Sequence, residues 1–184
     1  VCSFDYSTTA TVTVSEASIA GTATATPSEI CDGSTTLLAL TGYTGNIQWQ
    51  NNETGAFVDI PGATSDSYTT AALSITTPGT DRTVKYRAVV TNGLSAPDIS
   101  DELSNTIRPN PHPGIVLGDE ICSASDGTVT VFDYLGDAIQ WQSSTTEGGT
   151  YTDIEGATSD TYTETSMSST TYYRAKITNG PCNE

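Results

Sequence analysis

An internal repeat constrains the fold of this chain more than any other feature of its sequence. Residues 46–50 and 138–142 both contain the run Ile-Gln-Trp-Gln, and they hold the only two tryptophans. Apolar and polar residues alternate in each run, with the period of two that is typical of a half-buried β-strand. Trp49 and Trp141 are 92 positions apart, and about 90 residues is the usual size of a small β-sandwich. The chain of 184 residues is therefore predicted to hold two copies of one small domain.

Three further blocks recur in the same order around the tryptophans, which indicates a true internal repeat. The matching pairs are Ile30-Cys31 with Ile121-Cys122, 59–69 with 153–163, and 86–93 with 173–180. We assign residues 19–109 to the first repeat and 110–184 to the second, which lacks its last strand. Residues 1–18 are interpreted as the last strand of a preceding repeat, since Thr9–Val14 alternate like a strand.

The repeat unit has the pattern of an immunoglobulin-like sandwich. About seven short strands are separated by Gly, Pro, Asn and Asp turns, with a Trp on the third strand and a Tyr opening the sixth. In antibody domains a Cys follows that Tyr by two positions, but here Ala88 and Ala175 stand there. The predicted class is all-β, with tandem immunoglobulin-like β-sandwiches held by apolar packing. The predicted structural core is Trp49, Tyr86, Leu38 and Leu40 in the first repeat, and Trp141, Tyr173, Val129 and Val131 in the second.

The repeated motifs resemble those of a known group of bacterial proteins. The motifs are Ile-Cys-x-Gly, Thr-Gly-Tyr-Thr-Gly-x-Ile-Gln-Trp-Gln, Ile-x-Gly-Ala-Thr-Ser and Tyr-Arg-Ala-x-x-Thr-Asn-Gly. They are similar to the immunoglobulin-like repeats of very large cell-surface proteins of Bacteroidetes-type bacteria. The resemblance implies export by type IX secretion, an extracellular location, and a structural role in surface adhesion and gliding motility. Similar repeats also serve as spacers in other secreted proteins, including enzymes.

Four cysteines in an exported chain suggest disulfides. Sequence order favours a bond from Cys122 to Cys182 inside the second repeat. In an immunoglobulin-like topology, however, Cys122 follows the first strand and Cys182 lies in the last hairpin, so the two residues lie at opposite ends of the sandwich. A strand between these ends is about 23 Å long, whereas a disulfide needs Cα atoms within about 7 Å. An inter-repeat bond from Cys31 to Cys182 is the alternative that we prefer. Cys2 and Cys122 would then find partners in neighbouring repeats outside this chain.

Charge and motifs exclude several functions. The formal net charge of -16 argues against nucleic acid and anionic membrane surfaces as binding partners, because both are bound through clusters of Lys and Arg. No apolar run reaches the length of a membrane-spanning helix. His112 is the only histidine and lies in a proline-rich joint, where we expect it to be solvated. The sequence has no CxxC pair, GxSxG elbow or phosphate loop. We therefore expect no enzyme activity, no metal and no cofactor.

The remaining candidates are surface residues. Arg87 and Arg174 occupy one repeat position, and each is expected to pair with a carboxylate of its own domain. Tyr43, Tyr134 and Tyr151 are candidates for exposed aromatics that could stack on sugars. The first hypothesis is a stalk segment of a bacterial adhesin, with neighbouring repeats of the same long chain as partners and surface polysaccharide or abiotic surfaces as further candidates. The rival hypothesis is a carbohydrate-binding or spacer module of a secreted enzyme.

Overall fold

The structure, a computed structural model, describes residues 2–183 and is built from β-strands. Nine strands fall in the first repeat: β1 (Thr22–Thr26), β2 (Glu29–Cys31), β3 (Leu37–Thr41), β4 (Asn46–Asn51), β5 (Val58–Asp59), β6 (Ser67–Thr69), β7 (Arg82–Thr91), β8 (Asp98–Ile99) and β9 (Leu103–Arg108). Seven follow within the described part of the second repeat: β10 (Ile115–Gly118), β11 (Ser125–Phe132), β12 (Ala138–Ser144), β13 (Thr152–Asp153), β14 (Thr161–Met167), β15 (Tyr172–Asn179) and β16 (Cys182–Asn183).

Alternation along the tryptophan strands positions the core. On β4 the side chains of Ile47 and Trp49 are buried, while Gln48 between them is half-buried. The Gln48 side-chain amide donates hydrogen bonds to the backbone carbonyls of Trp49 and Ile60, at 2.9 and 2.8 Å. The corresponding glutamine on β12 donates to the two equivalent carbonyls at the same distances. The glutamine of the repeated motif therefore ties the tryptophan strand to the loop that follows it.

The first repeat forms two sheets. One has the strand order β1-β3-β6, and the other has the order β2-β9-β7-β4-β5, with β8 also paired to β7. Strands β4 and β7 are antiparallel, and Trp49 lies opposite Ala88. Strands β2 and β9 are parallel, with Ile30 opposite Ile107.

The described part of the second repeat forms the same two sheets with fewer strands. Their orders are β10-β11-β14 and β13-β12-β15-β16. Strands β12 and β15 are antiparallel, and Trp141 lies opposite Ala175, as Trp49 lies opposite Ala88. Up to residue 183, no strand in this repeat corresponds to β2 or β9.

The backbone divides into two compact units. One contains residues 1–24, 38–68 and 85–103, and the other contains 25–37, 69–84 and 104–184. Trp49, Leu40 and Tyr86 are buried in the first unit, and Trp141, Val131 and Ile107 are buried in the second. The predicted repeat boundaries at residues 18 and 109 stay a prediction.

Two sequence expectations differ from the structure. Thr9–Val14 form no strand, and every described residue before Ser18 is exposed, because no neighbouring strand lies beside this segment. Tyr173 is only partly buried, whereas Tyr86 at the equivalent position is 1% exposed. The reason is that β9 occupies the first repeat next to β7, and no counterpart lies next to β15 among the described residues.

Candidate functional site

A disulfide joins Cys31 of the first repeat to Cys182 of the second. The Cα atoms are 5.5 Å apart, and the bond spans 151 positions of sequence. The preferred prediction is thereby confirmed, and the alternative bond from Cys122 to Cys182 is wrong. Cys2 and Cys122 are free and exposed. Their pairing outside the chain stays a prediction.

Short strands place the two cysteines. Cys31 ends β2 and lies opposite Arg108, the last residue of the parallel strand β9. Cys182 begins β16, which pairs back on β15 through a turn at Gly180, with Cys182 opposite Asn179. All of these residues belong to the second compact unit. The bond therefore connects the end of β2, beside the last residue of β9, with the last hairpin of the second repeat.

The Arg108 side chain lies at the centre of this site. Its Nε donates a hydrogen bond to a carboxylate oxygen of Glu29. Its Nη1 lies 3.4 Å from Asp81 Oδ2 and 3.9 Å from Asp137 Oδ2. The hydrogen bond with Glu29 raises the pKa of Arg108 above its ordinary value, and the three carboxylates raise it further, against an opposing effect of burial. The guanidinium stays charged at any physiological pH and offsets part of the negative charge of the three carboxylates around it.

The turn at Gly180 fits closely against this arginine. Gly180 has a φ of +56°, and a Cβ at this position would lie 2.6 Å from Arg108 Nε. Its backbone N–H donates to Asp137 Oδ2 at 3.0 Å. Glycine suits the turn, because it adopts the left-handed backbone without strain and leaves room for the Arg108 side chain.

The proline-rich linker that follows β9, residues 109–114, makes hydrogen bonds with residues further along the second repeat. The side-chain amide of buried Asn179 donates to the Pro109 carbonyl at 2.8 Å. His112 and Leu135 exchange backbone hydrogen bonds of 2.9 and 3.0 Å, while the His112 side chain is exposed, as predicted. The linker is thus held by hydrogen bonds as well as by its prolines.

Arg87 and Arg174 do not have the partners predicted from sequence. Arg87 Nε donates to Gln50 Oε1 at 2.8 Å, and its guanidinium lies 4.1 Å from the centre of the Phe57 ring. The Gln50 side-chain amide donates in turn to Asp59, at 2.8 Å. Arg87 is therefore linked to the Asp59 carboxylate only through Gln50. Its guanidinium is also held by a cation–π contact with Phe57.

The second repeat has the same arrangement. Arg174 Nε donates to Gln142 Oε1 at 2.6 Å, Gln142 donates to Asp153 at 2.6 Å, and the guanidinium lies 4.3 Å from the centre of the Tyr151 ring. The second glutamine of each Ile-Gln-Trp-Gln run was the sequence signal for this contact, because it recurs together with the arginine.

The predicted sugar-stacking tyrosines are only partly available. One face of the Tyr151 ring is covered by Arg174. Tyr43 is half-buried, and Tyr134 is 37% exposed. The structure does not bring these three side chains into one described site.

Residues 2–183 contain no group of three or more His, Cys, Asp or Glu side chains that could hold a metal ion. In the same range, no helix has the length and apolar character needed to cross a membrane.

The fold defines the class of protein: two-sheet, immunoglobulin-like β-sandwiches in tandem. A crystal structure of murine CEACAM1b is similar, with a TM-score of 0.53 at 13% identity, over 86% of this chain and 92% of that one. A crystal structure of domains A168–A170 of titin has a TM-score of 0.47 at 14% identity, over 82% of this chain and 55% of that one. A crystal structure of the chicken CNTN1 FN1–FN3 domains has a TM-score of 0.37 at 12% identity, over 81% of this chain and 55% of that one. No curated protein matches the chain.

The chain belongs to the family described as Domain of unknown function (DUF8696). The family model matches it twice, at residues 19–109 and 114–184.

Proposed function

We propose that this chain is a load-bearing segment of an extracellular stalk, in which immunoglobulin-like repeats follow one another in a long surface protein. The observation that carries the proposal is the Cys31–Cys182 bond, since a disulfide between two repeats constrains them covalently. Such bonds are typical of proteins in oxidising compartments outside the cytosol. Its partners are neighbouring repeats of the same long chain.

The bond has a direct mechanical consequence. Force applied to the two ends of the chain passes from Cys31 across the sulfur atoms to Cys182, and the residues between them carry no end-to-end tension. The bond spans 151 positions, which correspond to about 500 Å of extended chain at roughly 3.4 Å per residue. Both buried tryptophans lie inside this shielded region. The segment is therefore built to stay folded while it transmits tension.

Force spectroscopy tests this role directly. The oxidised chain, pulled from its ends, should release only the short flanking segments. A thiol reductant should make about 500 Å of additional extension available. The variant with Cys2→Ser and Cys122→Ser keeps the bond and is the matched control, with the same behaviour as the unchanged chain. Unfolding of the full length in the oxidised chain would refute the proposal.

The finer proposal is that the parent protein is a bacterial surface adhesin, of the gliding-motility type represented by SprB, exported by type IX secretion. Support comes from the repeat motifs. Antibodies against this chain should label intact producing cells, and protease added outside should remove the label. Surface polysaccharide or an abiotic surface is the proposed adhesion target. Specific, saturable binding of the isolated chain to a glycan array, lost on Tyr134→Ala, would favour the rival carbohydrate-binding module.

A further inference from the structure

An Asn-Gly dipeptide occupies the same place in both repeats, at the end of the strand that pairs with the tryptophan strand. Asn92 directly follows β7, and Asn179 is the last residue of β15. Gly93 and Gly180 both have a φ of +56°, and each dipeptide is preceded by Thr. The two turns therefore share their local sequence and their glycine conformation, and a difference in their chemistry must come from their surroundings.

Asn-Gly is a dipeptide prone to deamidation, because glycine has no side chain that blocks the approach of its nitrogen. The glycine nitrogen loses its proton and attacks the asparagine Cγ, so that a new C–N bond forms, the Cγ–Nδ2 bond breaks and ammonia leaves. Water then opens the cyclic imide at either carbonyl and gives aspartate or isoaspartate. The reaction needs only water, and it depends on how freely the glycine nitrogen and the asparagine side chain can meet.

Both reacting groups are held in the second repeat. The Gly180 N–H donates a hydrogen bond to Asp137 Oδ2 at 3.0 Å. The charge of this carboxylate also opposes loss of the amide proton. The Asn179 side chain is buried, and its amide donates to the Pro109 carbonyl at 2.8 Å. Attack requires both hydrogen bonds to open, which protects this turn while the repeat is folded.

The first repeat has no residue equivalent to Asp137. Gly45 and Gly136 correspond to each other, because a Cβ on either would lie 2.5 Å from a threonine carbonyl oxygen of the neighbouring strand. In the first repeat Gly45 is followed directly by Asn46, the first residue of β4. In the second repeat Asp137 stands between Gly136 and the start of β12. Asp137 is thus an additional residue, present only in the second repeat.

The reacting groups of the first repeat are correspondingly unrestrained. Within residues 2–183, the Gly93 N–H donates no hydrogen bond, and the half-buried Asn92 side chain has no hydrogen-bond partner. Only the backbone of Asn92 is held, since its N–H donates to Ser18 Oγ at 2.9 Å and its carbonyl accepts from the Ser95 N–H at 3.0 Å. A small local motion of this turn is enough to bring the glycine nitrogen to Cγ.

We propose that Asn92-Gly93 is a modification site, at which Asn92 deamidates spontaneously, and that Asp137 protects the equivalent Asn179. The reaction replaces an amide by a carboxylate, and the isoaspartate product adds a carbon atom to the backbone between β7 and β8. Protection of Asn179 preserves the hairpin that carries Cys182. The inference concerns these two turns and does not depend on the stalk proposal.

The two asparagines of one chain provide the first test. The full, oxidised chain is incubated at mildly alkaline pH, and mass spectrometry of peptides from the reduced and digested protein follows the conversion of each asparagine. Asn92 should react at least about tenfold faster than Asn179, because the hydrogen bond to a charged carboxylate must open first at Asn179. In urea with a thiol reductant the two should react at similar rates, since their local sequences match.

A substitution at Asp137 tests its protective role. Asp137→Ala should accelerate deamidation of Asn179 at least about tenfold and leave Asn92 unchanged. The matched control, Asp81→Ala, removes another acid beside Arg108 but keeps the Gly180 hydrogen bond, and it should change neither rate. Tryptophan fluorescence checks that both variants are folded.

Three results would each overturn the proposal. They are equal rates for the two asparagines in the folded chain, a difference in rate that persists in urea, and an Asn179 rate that folded Asp137→Ala leaves unchanged or slows. If Asp137→Ala does not fold, the comparison of the folded chain with the chain in urea still decides whether the tertiary structure protects Asn179 and exposes Asn92.

Discussion

The Cys31–Cys182 bond should dominate the stability of the second repeat. Replacing both residues by Ala removes the bond and leaves every strand pair intact. With the first repeat folded, Cys31 is held opposite Arg108, so the bond closes a loop of the 74 positions from Arg108 to Cys182 when the second repeat unfolds. The chain-entropy relation gives about 4 to 5 kcal/mol for a loop of that size. If the whole chain unfolds in one step, the loop is 151 positions long, and the value rises only to about 5 kcal/mol.

The two tryptophans allow each repeat to be followed separately. Trp49 and Trp141 are both fully buried, so the fluorescence of each reports unfolding of its own repeat. Urea unfolding is measured in a Trp49→Phe background for the second repeat and in a Trp141→Phe background for the first. Each comparison is made with and without the bond in the same background, so the effect of the Trp substitution cancels.

The expected result is a loss of about 4 kcal/mol in the free energy of unfolding of the second repeat. The matched control replaces free, exposed Cys2 and Cys122 by Ser, and it should change that free energy by less than about 0.5 kcal/mol. A loss below about 1 kcal/mol on removing the bond would refute the reasoning, because the loop would then not be constrained in the unfolded state.

Three further predictions concern the packing and the pH dependence. Gly114→Ala should lower the free energy of unfolding in urea by at least about 2 kcal/mol more than Gly33→Ala. Both glycines have a positive φ, but only at Gly114 would a Cβ lie 2.2 Å from a backbone carbonyl oxygen, that of Phe132. The hydrogen bond of Tyr162 to Glu164 raises the pKa of Tyr162 to about 12, so its contribution to stability is complete below pH ~10 and is lost as pH rises towards ~12. Ultraviolet titration should show a tyrosinate that forms near pH ~12 in the unchanged chain and at lower pH in Glu164→Gln. Asn105→Asp, at a fully buried residue whose amide donates to a backbone carbonyl, should cost about 3 kcal/mol or more at neutral pH, with the loss reduced as pH falls and the carboxyl is protonated.

Much of the core could be predicted from the sequence, because burial follows local alternation. Leu38, Leu40, Val129 and Val131 are all buried, as the period-two pattern indicated. The partial exposure of Tyr173 could not be predicted in the same way. Its sequence environment matches that of Tyr86, and the difference arises from β9, a strand far away in sequence that lies next to β7.

The partners of charged side chains were the least predictable part of the site. Arg108 is one of only 6 basic residues, yet nothing in its local sequence indicated the contacts with Glu29, Asp81 and Asp137. These three acids come from distant segments, and long side chains reach whichever partner the backbone brings near. The repeated Gln and Arg were visible in the sequence, but their contact with an aromatic ring was not.

The sequence by itself determined the repeat, the strand alternation and the all-β class, because these depend on residues close together in the chain. It also indicated the Cys31–Cys182 pairing, once the order of strands in the sandwich was assumed. Only the tertiary structure decided which charges meet Arg108, and which aromatic rings meet Arg87 and Arg174. Those features depend on contacts between segments distant in sequence, and such contacts exist only after the strands have assembled.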